Sequence, residues 1–202
     1  MLNIEDVILM PILQEAFAIM DTLAHAVYGA TLFSRTGLAG GRRGPVDAQG
    51  RRIVSDWTFW AAFGFGLLPD IFSIGIYFIQ SALNWSGISF HALPDYVFTL
   101  YQPTHSLVVA FIGLGLIRLF FKPLLLPALA WPFHIFLDIF THSLGPFQTP
   151  FLYPLSDLAF NGIRWWMHPW FVRAYWGVLV LIWLGIVMAR RRCTSKAESC
   201  IG

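Results

Sequence analysis

Along the chain, long apolar runs alternate with polar breaks, and the runs are too long and too continuous for surface helices. Residues 57–79, 105–122, 123–141 and 174–189 form four such runs. Each is close to what a helix needs to cross a hydrocarbon core ~30 Å thick. An earlier stretch, 4–33, opens amphipathic (IEDVILMPILQEAFAIM) and continues as DTLAHAVYGATLF. It lacks a basic leading region and a small-residue cleavage site, so a removable signal peptide is not expected. The breaks are 34–56, rich in Gly and Arg, 80–104, without Lys or Arg, and 142–173, dense in Pro and aromatics. Apolar runs of membrane-crossing length predict an all-α fold.

Composition sharpens this picture. Only 12 % of the 202 residues are charged and the mean hydropathy is +0.64, whereas soluble domains carry about 25 % charge. The chain is therefore read as one membrane-embedded domain over 1–202, a multi-pass transmembrane helical bundle. The net charge of +2 is small, and the basic residues cluster in the breaks, which argues against nucleic-acid binding. Arg35, Arg42, Arg43, Arg51 and Arg52 mark 34–56 as a cytoplasmic loop, with turns at Gly40-Gly41 and Gly44-Pro45. Arg118 and Lys122, then Arg190, Arg191 and Arg192 at the head of a polar tail 190–202, mark further cytoplasmic ends. Loops 80–104 and 142–173 then lie outside. Trp165, Trp166, Trp170 and Trp176 suit the interfacial belt, as does His168. Cys193 and Cys200 lie in the tail and suggest neither a disulfide framework nor a thiolate site.

The chemistry concentrates in Trp131–Gly145, WPFHIFLDIFTHSLG. His134, Asp138 and His142 recur at intervals of four, which places them on one helical stripe among Phe, Ile and Leu. Unpaired polar groups in such surroundings cost several kcal/mol each, so the stripe needs partners. Imidazole and carboxylate are metal-ligand types; the alternative is a buried His–Asp hydrogen-bond ladder. Asp21 and His25 repeat the i, i+4 spacing, as a second ligand pair or a local hydrogen bond. Asp70, in Leu68-Pro69-Asp70, puts a carboxylate at membrane depth, either functional or capping a broken helix. His105 opens the second apolar run after Pro103 and Thr104. Ser106 and Ser143 each follow a His, but neighbours on a helix point ~100° apart, so neither forms a triad.

These pieces also carry a resemblance. His25 with Gly29, LPD at 68–70, THS at 104–106 and HIFLDIFTH at 134–142 resemble, in order and over most of the chain, the YdjM-type (LexA-regulated) family of bacterial membrane-bound metal-dependent hydrolases. More distantly the arrangement is similar to zinc-dependent phospholipase C and nuclease P1. That resemblance implies an all-helical metal centre in which Asp70, His105, His134 and Asp138 hold one ion. Asp138 would bridge to a second ion, bound also by His25 and Asp21. It implies a bacterial inner-membrane location too. The chain departs from the distant group by beginning Met-Leu-Asn instead of with a ligand Trp. His168 is followed by Pro-Trp-Phe-Val, with no H-x-x-x-E pair. One or two ions are therefore expected, not three.

The expected activity is metal-dependent hydrolysis of a phosphoester, using a metal-activated water, with zinc the first candidate and manganese the second. The ligand candidates are His25, Asp70, His105, His134, Asp138 and His142; Asp138 and Asp21 are the catalytic candidates, Asp21 as general base. A site near the outer ends of its helices points to the extracytoplasmic side and to a membrane lipid or lipid-linked phosphate as substrate. Two other readings stay open: an ion or proton transporter relaying through Asp70, His134 and Asp138, and a non-catalytic scaffold held by a buried ladder.

Overall fold

The computed structural model describes residues 21–43, 55–85, 93–163 and 168–199. The amphipathic start at 4–20, Gly44-Pro45, Arg51, Arg52, His91, Trp165, Trp166 and Cys200 lie outside these residues. Every regular element among them is helical.

Helix α1 (21–33) ends in a polar turn and a 3₁₀ segment, Leu38–Arg43. Helix α2 (Trp57–Asp70) starts on an Asp56 N-cap. Asp56 Oδ1 accepts the Thr58 N–H at 3.0 Å and the Thr58 hydroxyl at 2.6 Å. Its Oδ2 accepts the Thr36 N–H at 2.8 Å and the Thr36 hydroxyl at 2.5 Å. One carboxylate thereby ties the end of α1 to the start of α2. Burial pushes the Asp56 pKa up, but the hydrogen bonds from Thr36 and Thr58 outweigh it and hold the carboxyl below its usual range.

Pro69, inside α2, withholds the N–H that would meet the Phe65 carbonyl. The helix does not break there. Its ladder slips into a π turn, Ile71–Gly75, and continues as α3 (Ile76–Leu83). Trp57–Leu83 is thus one apolar helix of 27 residues. The expected loop at 80–104 is corrected at both ends. Gln80 to Leu83 remain helical, and Asp95–Thr104 forms α4, whose Tyr96 hydroxyl donates to Gln80 Oε1. Asp95 at its first turn complements the helix dipole.

Helix α4 meets α5 (Leu107–Phe120) at a bend of 58°. Ser106 leaves the helical region there and caps α5, its hydroxyl accepting the Val109 N–H at 3.3 Å. The later segment supports the bend: the Leu107 N–H donates to the Phe151 carbonyl at 2.9 Å and the Ser106 hydroxyl to the Tyr153 carbonyl. After a short turn come α6 (Leu125–Ala128) and α7 (Ala130–Thr141). Helix α8 (Pro169–Ser199) runs past Arg190–Arg192, so the tail expected to start at 190 is helical through Ser199. Among the described residues, three helical stretches, Trp57–Leu83, Lys122–Thr141 and Trp170–Arg192, are long and apolar enough to cross a membrane. Counting the bent α4–α5 pair as one span makes four.

Small residues let the inner helices approach closely. A Cβ on Gly29 would come within 2.8 Å of Ala130 Cβ and 3.1 Å of the Ala62 carbonyl oxygen. A Cβ on Gly66 would come within 2.9 Å of both Ala26 Cα and the His25 carbonyl oxygen. Helix α2 also packs on α6 and α7. Helix α8 lies along α1: the Tyr28 hydroxyl donates to the Tyr175 carbonyl, Trp183 Nε1 donates to Thr31 Oγ1 at 2.9 Å, and Arg190 donates to the Gly37 carbonyl at 2.9 Å. Phe111, Ile112 and Leu119 of α5 and Leu181, Leu184 and Met188 of α8 are exposed, the surface a hydrocarbon solvent favours.

Candidate metal centre

Three helices and one bend bring the polar residues together. Helix α1 carries Asp21 and His25 one turn apart; α2 carries Asp70 at its end, beside the π turn. The α4–α5 bend presents His105, and α7 presents His134 and Asp138. His142 does not continue the stripe. Helix α7 ends at Thr141, and His142 is extended (φ −104°, ψ 136°), its N–H capping the Asp138 carbonyl at 2.9 Å. Its ring still turns back to the cluster.

Asp138 is the hub. On one side its Oδ2 lies 3.1 Å from His134 Nε2 and 3.4 Å from His105 Nε2. Asp70 Oδ1 completes that side, 3.4 Å from His105 Nε2 and 3.8 Å from His134 Nε2. On the other side Asp138 Oδ1 lies 3.5 Å from both His25 Nε2 and His142 Nδ1. Asp21 closes it, with Oδ1 3.7 Å from His25 Nε2 and Oδ2 3.8 Å from His142 Nε2. Among the described residues, three ligand trios have their donor atoms within 4.8 Å of one another: His25–His134–Asp138, Asp70–His105–His134 and Asp21–Asp138–His142.

These separations fit ligands around a cation better than partners in a ladder. Donors bound tetrahedrally at ~2.0–2.2 Å stand about 3.3–3.6 Å from one another. His105 Nε2, His134 Nε2, both His25 ring nitrogens and both Asp138 oxygens are buried and make no hydrogen bond. A buried, unsatisfied polar atom costs ~1–3 kcal/mol, more when charged; six in one cluster call for a ligand.

The surrounding contacts aim these donors. His134 Nδ1 lies 2.7 Å from the Gly66 carbonyl and His105 Nδ1 lies 3.1 Å from the Tyr101 carbonyl. With Nδ1–H donating to each carbonyl, the Nε2 lone pairs face the centre, as metal-binding imidazoles require. The Thr22 hydroxyl donates to Asp70 Oδ2 at 2.5 Å, leaving Oδ1 for the site. Tyr101 stacks on His105 at 3.7 Å and 16°, and its hydroxyl lies 3.5 Å from His142 Nδ1.

The chain's relationships agree with a membrane setting. A family model described as YdjM inner membrane protein matches residues 20–201. The chain belongs to the YdjM inner membrane protein family. No curated protein and no solved structure matches it.

In this YdjM-family chain the structure gathers all seven residues nominated from sequence: Asp21, His25, Asp70, His105, His134, Asp138 and His142. His168 is exposed, its ring 6.1 Å from that of Trp170 and tilted at 45°, and it belongs to none of the trios. Sequence reasoning missed Thr22, Tyr101 and the Gly66 carbonyl. A signal existed for two of them: Tyr101 precedes His105 by one helical turn, and Gly66 precedes Asp70 by one turn.

Proposed function

We propose that this protein is a membrane-bound, metal-dependent hydrolase of a lipid or lipid-linked phosphoester, with a two-ion centre bridged by Asp138. One observation carries the reading: the two oxygens of a fully buried carboxylate face separate His/Asp sets, and neither has a hydrogen-bond partner. Asp70, His105 and His134 would hold one ion, and His25 and His142 the other, with the Asp21 carboxylate beside them left uncoordinated. Four imidazoles and two carboxylates favour zinc, with manganese the oxygen-tolerant alternative. When bound, the ions supply Lewis acidity and bring the pKa of a water toward ~7.

The side chains divide the work. His25, His105, His134 and Asp138 are at most 1 % exposed, whereas Asp21, Asp70 and His142 are 13 %, 16 % and 17 % exposed. Water and substrate therefore enter past Asp21, Asp70 and His142. Asp21, on that open side, is placed to take a proton from attacking water, and His142 to orient the carboxylate beside it. The site's depth supports a lipid substrate. Asp70 lies thirteen residues, ~20 Å, along its helix from Trp57, and His142 follows the last residue of α7. With the basic ends Arg35 and Arg190 cytoplasmic, the site opens toward the extracytoplasmic side. The order of the ligands along the chain is also similar to the phospholipase C and nuclease P1 group.

A transporter reading has less support, because the titratable groups converge on one centre and do not line a path. A scaffold ladder would satisfy its own polar atoms. The test is phosphate release from phosphatidic acid in mixed micelles by zinc-loaded protein. Turnover that chelator abolishes and zinc restores is expected, with Asp138→Asn inactive. Zinc-loaded protein that cleaves no phosphoester, water-soluble or lipid, contradicts the reading.

A further inference from the structure

Helix α8 supplies no residue to the trios, yet it carries one polar atom with the same unsatisfied character. The Tyr175 hydroxyl is buried and, among the described residues, has no hydrogen-bond partner. Its ring meets the His25 ring edge-on at 6.3 Å. The ring is clamped on two further sides, by Tyr28 at 4.7 Å and by Phe171, stacked at 6.0 Å and 17°. The backbone is fixed too, since the Tyr28 hydroxyl donates to the Tyr175 carbonyl. Tyr175 is thus held in place against a ring whose two nitrogens make no hydrogen bond.

A phenol needs a partner when buried, and a fold that only required an aromatic wedge there would be served better by Phe. Tyr175 also follows the start of the apolar stretch Trp170–Arg192 by five residues, at the end of α8 away from Arg190. The open side of the centre lies toward that end.

Resting on the phosphoester reading above, we propose that Tyr175 is a substrate-binding residue. Its hydroxyl donates a hydrogen bond to a phosphoryl oxygen held beside His25, on the half of the centre formed with Asp21 and His142. No covalent step is assigned to it.

The test is isothermal titration of zinc-loaded, detergent-solubilised full chain with inorganic phosphate, comparing wild type with Tyr175→Phe and measuring zinc content and thermal midpoint on the same samples. Loss of one hydrogen bond to a charged ligand should weaken phosphate binding about ten- to a hundredfold. Zinc content should stay the same, and the midpoint should be equal or higher, because the hydroxyl has no protein partner to lose. Equal phosphate affinity in the two proteins overturns the assignment while leaving the phosphoester reading intact. Loss of zinc or a lowered midpoint in Tyr175→Phe also overturns it, by showing a structural role. A wild type that holds zinc but binds no phosphate overturns both.

Discussion

Two carboxylates of the same bundle, the half-buried Asp56 and the fully buried Asp138, are treated in opposite ways. Asp56 accepts four hydrogen bonds, two from Thr36 and two from Thr58, and joins α1 to α2. Asp138 is fully buried among four imidazoles and accepts none. The first carboxylate is complete within the protein and serves the fold. The second is held in a costly environment by imidazoles that face it without hydrogen-bonding to it, an arrangement that could hold a metal ion. The distinction between the two is drawn by satisfaction: the less buried carboxylate has every hydrogen bond, and the more buried one has none within the protein.

Variants can break that comparison. The largest effect is expected for Asp138→Asn, which removes the charge that both His/Asp sets face: on the hydrolase reading, phosphoester turnover should fall by at least about a thousandfold. The metal-free variant should be about as stable as metal-free wild type, because the isosteric amide keeps the packing and Asp138 has no hydrogen bond to lose. Thermal melts in chelator check this, and a strongly lowered midpoint would mean that Asp138 already serves the fold.

Next in size are His105→Ala and His25→Ala, which touch opposite oxygens of Asp138. Each should leave about one ion of two, with both variants strongly impaired, since neither half acts alone. Loss of both ions in each variant would indicate one shared ion. Gly66→Ala should then cost about 1–3 kcal/mol through overpacking against Ala26 and the His25 carbonyl, and displace His25. A chemical-denaturation midpoint and metal content should fall together there.

The smallest effect belongs to the satisfied carboxylate. Asp56→Ala should lower stability by about 1–2 kcal/mol with metal content unchanged. Because the folded-state pKa of Asp56 lies below the unfolded one, its contribution is present above the ordinary value of 3.8 and is lost as pH falls through the lower, folded value. Wild type should therefore lose more stability than Asp56→Ala between neutral pH and the acid range below 3.8; parallel pH profiles would remove that role.

Much of the centre was legible before any coordinates, because the cost of charge in apolar surroundings makes each intramembrane His or Asp informative and helical spacing groups them. His134 with Asp138, and Asp21 with His25, needed only the period of four. Asp70 and His105 stood out by depth and by position at a run's start. The rest was not legible for physical reasons. The i, i+4 pattern through His142 reads the same whether the helix continues or ends at Thr141, and the termination depends on how 142–163 folds back. There the Gly162 N–H donates to the His142 carbonyl at 2.8 Å. Helix α4 was hidden because its sequence, DYVFTLYQPT, mixes polar and aromatic residues without a clear stripe. The π turn after Pro69 follows from how neighbouring carbonyls recapture a ladder, which composition does not encode. Tyr101 and Tyr175 were lost among many aromatics that differ from them only in lacking a hydroxyl.

The most direct measurement is metal content by elemental mass spectrometry on detergent-purified protein, wild type beside Asp138→Asn and Asp56→Ala. About two equivalents of zinc or manganese in wild type and Asp56→Ala, with the metal lost in monodisperse Asp138→Asn, is the predicted result for a bridged two-ion centre. Less than about a tenth of an equivalent in wild type after metal is added back would contradict it, since a high-affinity site fills under those conditions. The seven His and Asp side chains would then be a costly internal network whose purpose is not hydrolysis.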